Sequence, residues 1–166
     1  MILDFLRKQL APLASTPPAP PPGQDLETLA RAQLKRDEGE VLYAYTDSEG
    51  YLTIGIGRLI DKRKGGGISA EESAYLFSND FNSKLGELRR LLPWFDKLDV
   101  ARQGVLLNMA FQMGVDGLLG FKNTLAMVER GDYTGASAGM LSSLWAKQTP
   151  ARAARLSMQM ETGQWQ

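Results

Sequence analysis

The chain has 166 residues, 43% apolar and 23% charged, with equal numbers of basic and acidic side chains and neither histidine nor cysteine. The length suits one domain or two small lobes, and the composition is that of a soluble globular protein. The two absences exclude disulfides, thiolate nucleophiles, Cys-type zinc sites and Ser-His-Asp or Cys-His catalysis, so acid–base work falls to carboxylates, lysines and tyrosines. Zero net charge gives no electrostatic case for nucleic acid or an anionic membrane.

In chain order, MILDFLRKQLAPLAS is interrupted by Asp4, Arg7 and Lys8 and lacks the apolar h-region of a signal peptide. Ile2, Leu3, Phe5, Leu6, Leu10 and Leu13 form a rough helical stripe, which predicts an amphipathic helix over residues 2–11. STPPAPPPGQ, residues 15–24, is a polyproline-type spacer. Residues 1–24 are therefore expected to be an arm and spacer, docking on its own domain, a membrane surface or another protein, ahead of a domain over 25–166. No run approaches the ~20 apolar residues of a membrane span.

Asp25 is placed to cap a helix running to about Glu38, with Leu26, Leu29, Ala30 and Leu34 on its apolar face and Gly39 as a left-handed stop. The period then changes. Residues 41–46 and 51–57 are rich in Tyr, Thr, Ile and Val around TDSEG, which predicts an antiparallel hairpin, with a third strand at Leu59 and Ile60. KRKGGG, residues 62–67, reads as a flexible basic loop. Ser69 with Glu72 forms a capping box that opens a helix to about Leu92, with Leu76, Phe77, Phe81, Leu85 and Leu88 as its buried stripe. A very apolar helix is expected from about Asp99 to Met113, closed by Gly114, then helices near 116–119, 122–130 and 133–146. The last helix is expected to start at Thr149-Pro150, an N-cap followed by proline at the first helical position, and to end at Gly163. The expected class is α+β: a small antiparallel hairpin lobe over 40–68 and a larger helical lobe over 69–166 plus helix 25–38, joined by the long Glu72–Leu92 helix.

RDEGEVLYAYTDSEGYLTIGIGR, residues 36–58, concentrates carboxylates. Glu38 falls in the last helical turn, where the negative end of the macrodipole disfavours a carboxylate and favours its protonated form, as a general acid needs. Asp47 falls in the hairpin turn, where water keeps a carboxylate ionised. Two carboxylates in contrasting environments are the pattern of glycoside hydrolysis. Thr53, on the returning strand, is placed to hold a water in the same space, and Gly50, Gly55 and Gly57 would let backbone or ligand come close. On spacing alone, a helix-end glutamate and a turn aspartate fit a solvated surface better.

The string E-G-(seven residues)-D-x-E-G-Y-x-T-I-G-I-G, starting at Glu38, resembles the phage lysozymes of the T4 type, the muramidases of glycoside hydrolase family 24. The likeness continues in order through LLNMAFQMG at 106–114, GFKNTL at 120–125, QTPARAAR at 148–155 and TGQW at 162–165. It covers roughly residues 30–166 and leaves residues 1–24 without a counterpart. The resemblance implies a lysozyme-like fold with an active-site cleft between the lobes. It implies hydrolysis of the β-1,4 bond between N-acetylmuramic acid and N-acetylglucosamine in peptidoglycan, with inversion, for lysis of a bacterial host. Glu38 would protonate the glycosidic oxygen, and Asp47 would orient or activate the attacking water with the help of Thr53. Inversion agrees with carboxyl groups about 6.5–9.5 Å apart, wide enough for that water.

By the same resemblance Arg152 matches an arginine that pairs with the catalytic glutamate. Glu49, Leu59, Phe111, Gln112 and Thr124 match positions lining the saccharide cleft, with plain core or helix-surface roles as the alternative. Arg58 stands where the family often has histidine, opposite an aspartate that corresponds to Asp80; an Arg58–Asp80 pair would keep the bridge without titrating at mild pH. The loop between them is short for the family, and Gly139 and Leu144 replace polar residues. No metal or organic cofactor is implied. The expected partner is peptidoglycan and not nucleic acid, and the expected state is a monomer. The expected location is the host bacterial cytoplasm, with action on the periplasmic wall after release, or the virion. Two readings compete with hydrolysis: a glycan-binding or structural virion module, and a lytic transglycosylase, which needs a glutamate but no water-activating aspartate.

Overall fold

The computed structural model describes residues 25–166, so the expected helix 2–11 and the spacer 15–24 lie outside the described residues. The chain divides into two compact units, one ending at Ile68 and one running from Ser69 to Gln166.

In the first unit, α1 spans Leu26–Glu38. It starts where the Asp25 carboxylate accepts the Thr28 amide at 2.8 Å, satisfying one of the first turn's orphan donors. Gly39 ends it with φ +78°, but ψ is 175°, so the chain leaves the helix in an extended conformation rather than through the expected left-handed turn. Glu40 then ion-pairs back to Lys35 and Arg31 of α1. Strands β1 (Val41–Thr46), β2 (Leu52–Gly55) and β3 (Arg58–Leu59) form an antiparallel sheet in the order β1-β2-β3. The register pairs Thr53 with Tyr45 on one side and Leu59 on the other, which puts Thr53 in the middle of the sheet. The segment 62–67 is not the flexible loop expected. Lys62–Lys64 is a 3-10 turn capped by the Asp61 carboxylate and closed by a left-handed Gly65.

In the second unit the Ser69–Glu72 capping box opens α2 (Ala70–Leu91), followed by a 3-10 turn at Phe95–Lys97 and α3 (Val100–Leu119). Of the stripe expected on α2, only Leu88 is buried; Phe81 and Leu85 are half-buried, and Leu76 and Phe77 are exposed. The helix packs on α3 and the 95–97 turn, and its core contacts come from its C-terminal half. The helices expected over 99–113 and 116–119 are two arms of α3, broken at Gly114 (φ +78°, ψ 163°). Then come α4 (Lys122–Glu129), α5 (Tyr133–Leu141), α6 (Leu144–Gln148) and α7 (Pro150–Thr162). The one helix expected over 133–146 is thus two, because the Ser143 hydroxyl accepts the Ala146 amide and caps a new start. Thr149 precedes α7 without capping it through its side chain; its hydroxyl donates to the Trp145 carbonyl at 3.0 Å. Leu88, Val105, Leu106, Met109, Leu118 and Met160 are among the buried residues of the core. Gln159 donates to the Ala101 carbonyl and Arg102 to the Met160 carbonyl, each at 2.8 Å, which ties α7 to the start of α3. Among the described residues, no single helix is long and apolar enough to cross a membrane.

Candidate active site

Asp47 closes the β1–β2 hairpin. Its amide donates to the Tyr51 carbonyl at 2.9 Å, and its Oδ1 accepts the Tyr51 amide at 2.8 Å and the Glu49 amide at 2.9 Å. Ser48-Glu49-Gly50 is therefore a three-residue loop, with Gly50 supplying the positive φ that this hairpin class needs. The Tyr51 amide is the chief cause that holds the Asp47 carboxyl below the usual carboxylate range; desolvation opposes it, and the Glu49 amide and the Lys64 ammonium add to it. Peptide amides, and not water alone as expected from sequence, keep this carboxylate ionised.

The Asp47–Tyr51 bond continues the strand register, so the two-residue period puts Tyr45, Asp47, Thr53 and Leu59 on one face of the sheet. Thr53 is 4% exposed, and its hydroxyl donates to the Tyr51 carbonyl in a long 3.5 Å bond. Tyr51 thus serves both side chains, its amide on Asp47 and its carbonyl on Thr53. Glu38 is the last residue of α1, at the negative end of that helix, where the extended Gly39 and the Glu40–Lys35 ion pair fix the exit of the chain. Gly50, Gly55 and Gly57 all have positive φ and open space where a Cβ would stand, so backbone conformation rather than close packing calls for glycine there.

Sequence reasoning missed the loop that packs on this hairpin. Asp61 is a carboxylate only 5% exposed. Its oxygens accept the Leu52 amide at 3.2 Å, the Arg63 amide at 2.9 Å and the Arg63 guanidinium. The Arg63 side chain is the largest cause that holds the Asp61 carboxyl far below the usual range. Arg63 also donates to the Gly50 carbonyl at 2.7 Å, and Lys64 donates to Glu49 at 2.8 Å while sitting 3.8 Å from the Tyr51 ring centroid. Glu49, expected to face saccharide, is thus an ion-pair partner in this structure. The available signal was an aspartate two residues before an arginine and four before a glycine, which are the cap and stop of a short helical turn.

In the second unit, Phe111, Gln112 and Arg152 line one cavity of about 540 Å³ with Phe77, Phe81 and Trp165. Phe111 stacks on Phe77 with ring centroids 5.7 Å apart, and Gln112 Oε1 accepts from the Trp145 indole at 2.9 Å. Thr124 is not among the residues lining that cavity. It is buried on α4 and lines a second opening of about 570 Å³ with Phe121, Asn123 and Gly139. A Cβ on Gly139 would stand 2.8 Å from Thr124 Oγ1, so glycine there makes room for the threonine. Leu144 is exposed at the start of α6. Arg58 donates to the Gly67 carbonyl at 2.9 Å, and Asp80 lies on an exposed part of α2. Glu38 and Arg152 belong to different units, as do Arg58 and Asp80.

Comparison with known proteins bears on this arrangement. The phage lysozyme family model matches residues 35–158. The chain is 35% identical to probable T4-type lysozyme 1 of Dictyostelium discoideum over 78% of its own length and 92% of that protein. It is 34% identical to the pre-baseplate central spike protein of Enterobacteria phage T4 over 86% of its own length, and spans only 29% of the spike protein. It is 32% identical to a peptidoglycan hydrolase of Pseudomonas phage phiKMV, of which it spans 14%. The match runs from just before Glu38 through the Asp47 hairpin and the core helices into α7, and by that extent the chain belongs to the phage lysozyme family.

Proposed function

We propose that this protein is a peptidoglycan-degrading muramidase that hydrolyses the β-1,4 bond between N-acetylmuramic acid and N-acetylglucosamine with inversion. The observation that carries the reading is Asp47: a carboxylate held ionised by the Glu49 and Tyr51 amides, with Thr53 on the same sheet face, in a lysozyme-family chain. Both turn amides fall on Oδ1, so Oδ2 is the oxygen assigned to the attacking water. Glu38 gives its proton to the leaving glycosidic oxygen. Water held by Thr53 gives a proton to the Asp47 carboxylate as its oxygen attacks the anomeric carbon from the opposite face and the glycosidic C–O bond breaks. Glu49, Leu59, Phe111, Gln112 and Thr124 are the proposed saccharide contacts. Arg152 is the proposed partner of Glu38, and Arg58 of Asp80. Residues 1–24 are the proposed arm, attached to a lysozyme domain over 25–166.

The test is muropeptide analysis of purified cell wall digested by wild type and by Glu38→Gln. Reducing muropeptides from wild type and a loss of about 10²–10⁴-fold in Glu38→Gln are expected. Products with 1,6-anhydro ends would replace hydrolysis with transglycosylation, and equal slow turnover by both proteins would remove Glu38 from the chemistry. One observation favours a second setting for the same activity: the 34% identity to a phage T4 spike protein, which fits a lysozyme module carried in a virion. Mass spectrometry of purified virions decides between that and a free endolysin.

A further inference from the structure

The proposed chemistry uses Asp47, yet it leaves unexplained why a buried carboxylate and two cations are gathered around its turn. From Glu49 to Leu52, every residue of the returning chain is held by the segment 60–64. Lys64 takes the Glu49 carboxylate, and Arg63 takes the Gly50 carbonyl. Both cations lie over the Tyr51 ring, Lys64 at 3.8 Å and Arg63 at 5.1 Å from its centroid. Asp61 takes the Leu52 amide at 3.2 Å, and the Ile60 amide donates to the Leu52 carbonyl at 2.9 Å. Asp61 and Arg63 are themselves locked together, since the guanidinium reaches both oxygens of the carboxylate. The stretch held in this way supplies the two amides that hold Asp47 Oδ1.

We propose that Asp61 and Arg63 form a clasp that positions Asp47: Asp61 anchors Leu52, Arg63 bridges Asp61 to the Gly50 carbonyl, and the Glu49 and Tyr51 amides are thereby aimed at the catalytic carboxylate. Neither residue touches the reacting atoms, so both are positioning residues. The clasp rests on the assignment of Asp47 given above. Its geometric logic follows from the guanidinium, which is planar and forked; a lysine keeps the charge but cannot bridge a carboxylate and a carbonyl in the same plane. Groups that hold a catalytic side chain through one intermediate typically change rates by about 10–100-fold when removed.

The experiment measures kcat and KM on soluble peptidoglycan fragments for full-length wild type, Arg63→Lys, Asp61→Asn and Asp47→Asn, with Lys62→Ala as a control from the same turn. The clasp predicts that Arg63→Lys lowers kcat about 10-fold or more with KM within about twofold, that Asp61→Asn does the same, and that Lys62→Ala matches wild type. The Arg63 side chain is 61% exposed, so its replacement opens no core, and Arg63→Lys decides the question even if Asp61→Asn fails to fold. Wild-type kcat in Arg63→Lys beside an inactive Asp47→Asn overturns the clasp alone and reduces Arg63 to a surface charge. Wild-type kcat in Asp47→Asn overturns the catalytic assignment, and the clasp with it. A raised KM at unchanged kcat in Arg63→Lys also overturns it, since that marks a substrate contact.

Discussion

Replacing Gly114 and Gly86 by alanine makes the same chemical change twice, and the two variants should move stability in opposite directions. Gly114 breaks α3 with φ +78° and ψ 163°, a conformation that costs a residue with a Cβ about 1–3 kcal/mol. Nothing lies within 4 Å of the added Cβ, so no clash adds to the strain. The alanine also restricts the unfolded chain, which returns ~0.4–1 kcal/mol, so the net loss centres on about 1.3 kcal/mol and reaches at most about 2.6 kcal/mol. Gly86 lies inside α2 on its exposed side, again with open space around a Cβ, and there alanine gains about 0.5–1 kcal/mol. Trp94, Trp145 and Trp165 all lie in the second unit, so urea unfolding followed by tryptophan fluorescence reports on it. The two midpoints should fall on opposite sides of wild type. Gly114→Ala at or above wild type would show that the break is not a glycine-only conformation, and the explanation of how α3 turns just after Phe111 and Gln112 would fail.

Two further outcomes follow from single contacts. Gln112→Ala leaves the buried Trp145 indole without its acceptor and should cost about 1–3 kcal/mol, whereas Gln112→Glu keeps an acceptor and should cost less; calorimetry of the two variants checks this, and coincident melting would dismiss the indole–amide bond. Asp47 has its carboxyl lowered in the folded state, first by the Tyr51 amide, so its ionised form stabilises the hairpin above the ordinary value of 3.8 and that contribution is lost as pH falls through the folded value. Amide exchange at Glu49 and Tyr51 should therefore separate wild type from Asp47→Asn most at neutral pH and least in acid; a difference that widens on acidification would reverse the sign of the argument.

Caps and periodicity made most of the fold legible. Asp25, Ser69 with Glu72, and Gly114 each carry a local signal whose meaning does not depend on the rest of the chain, and each acts in the structure as its residue type predicts. Thr149 and Ser143 show where that reasoning stops. A threonine before Pro150 reads as a cap, but the Trp145 carbonyl one turn back competes for the hydroxyl and takes it, while Ser143, hidden in an apparently continuous helix, is the real cap nearby. Asp47 was legible as an ionised carboxylate, but not by the right cause, since the amides of Glu49 and Tyr51 face it only after the loop has closed. Asp61, just ahead of KRKGGG, carried no signal by itself, because burial of a carboxylate depends on a partner, and its partner Arg63 looks like one more basic residue in that segment.

The two groups of candidate residues differ in how the chain places them. Asp47 and Thr53 are both held by Tyr51, a few residues away, and the segment that braces Tyr51 begins at Ile60. These are short loops, cheap in entropy to close and specified by nearby sequence. Gln112 instead depends on Trp145, 33 residues on, and the space around Thr124 depends on Gly139 in the next helix. A substitution at Gly139 can therefore reshape an opening on the second unit without reaching the bonds that fix Asp47. The bonds that fix Asp47 lie within the first unit, and the residues at positions 139 and 144 on the second take no part in them.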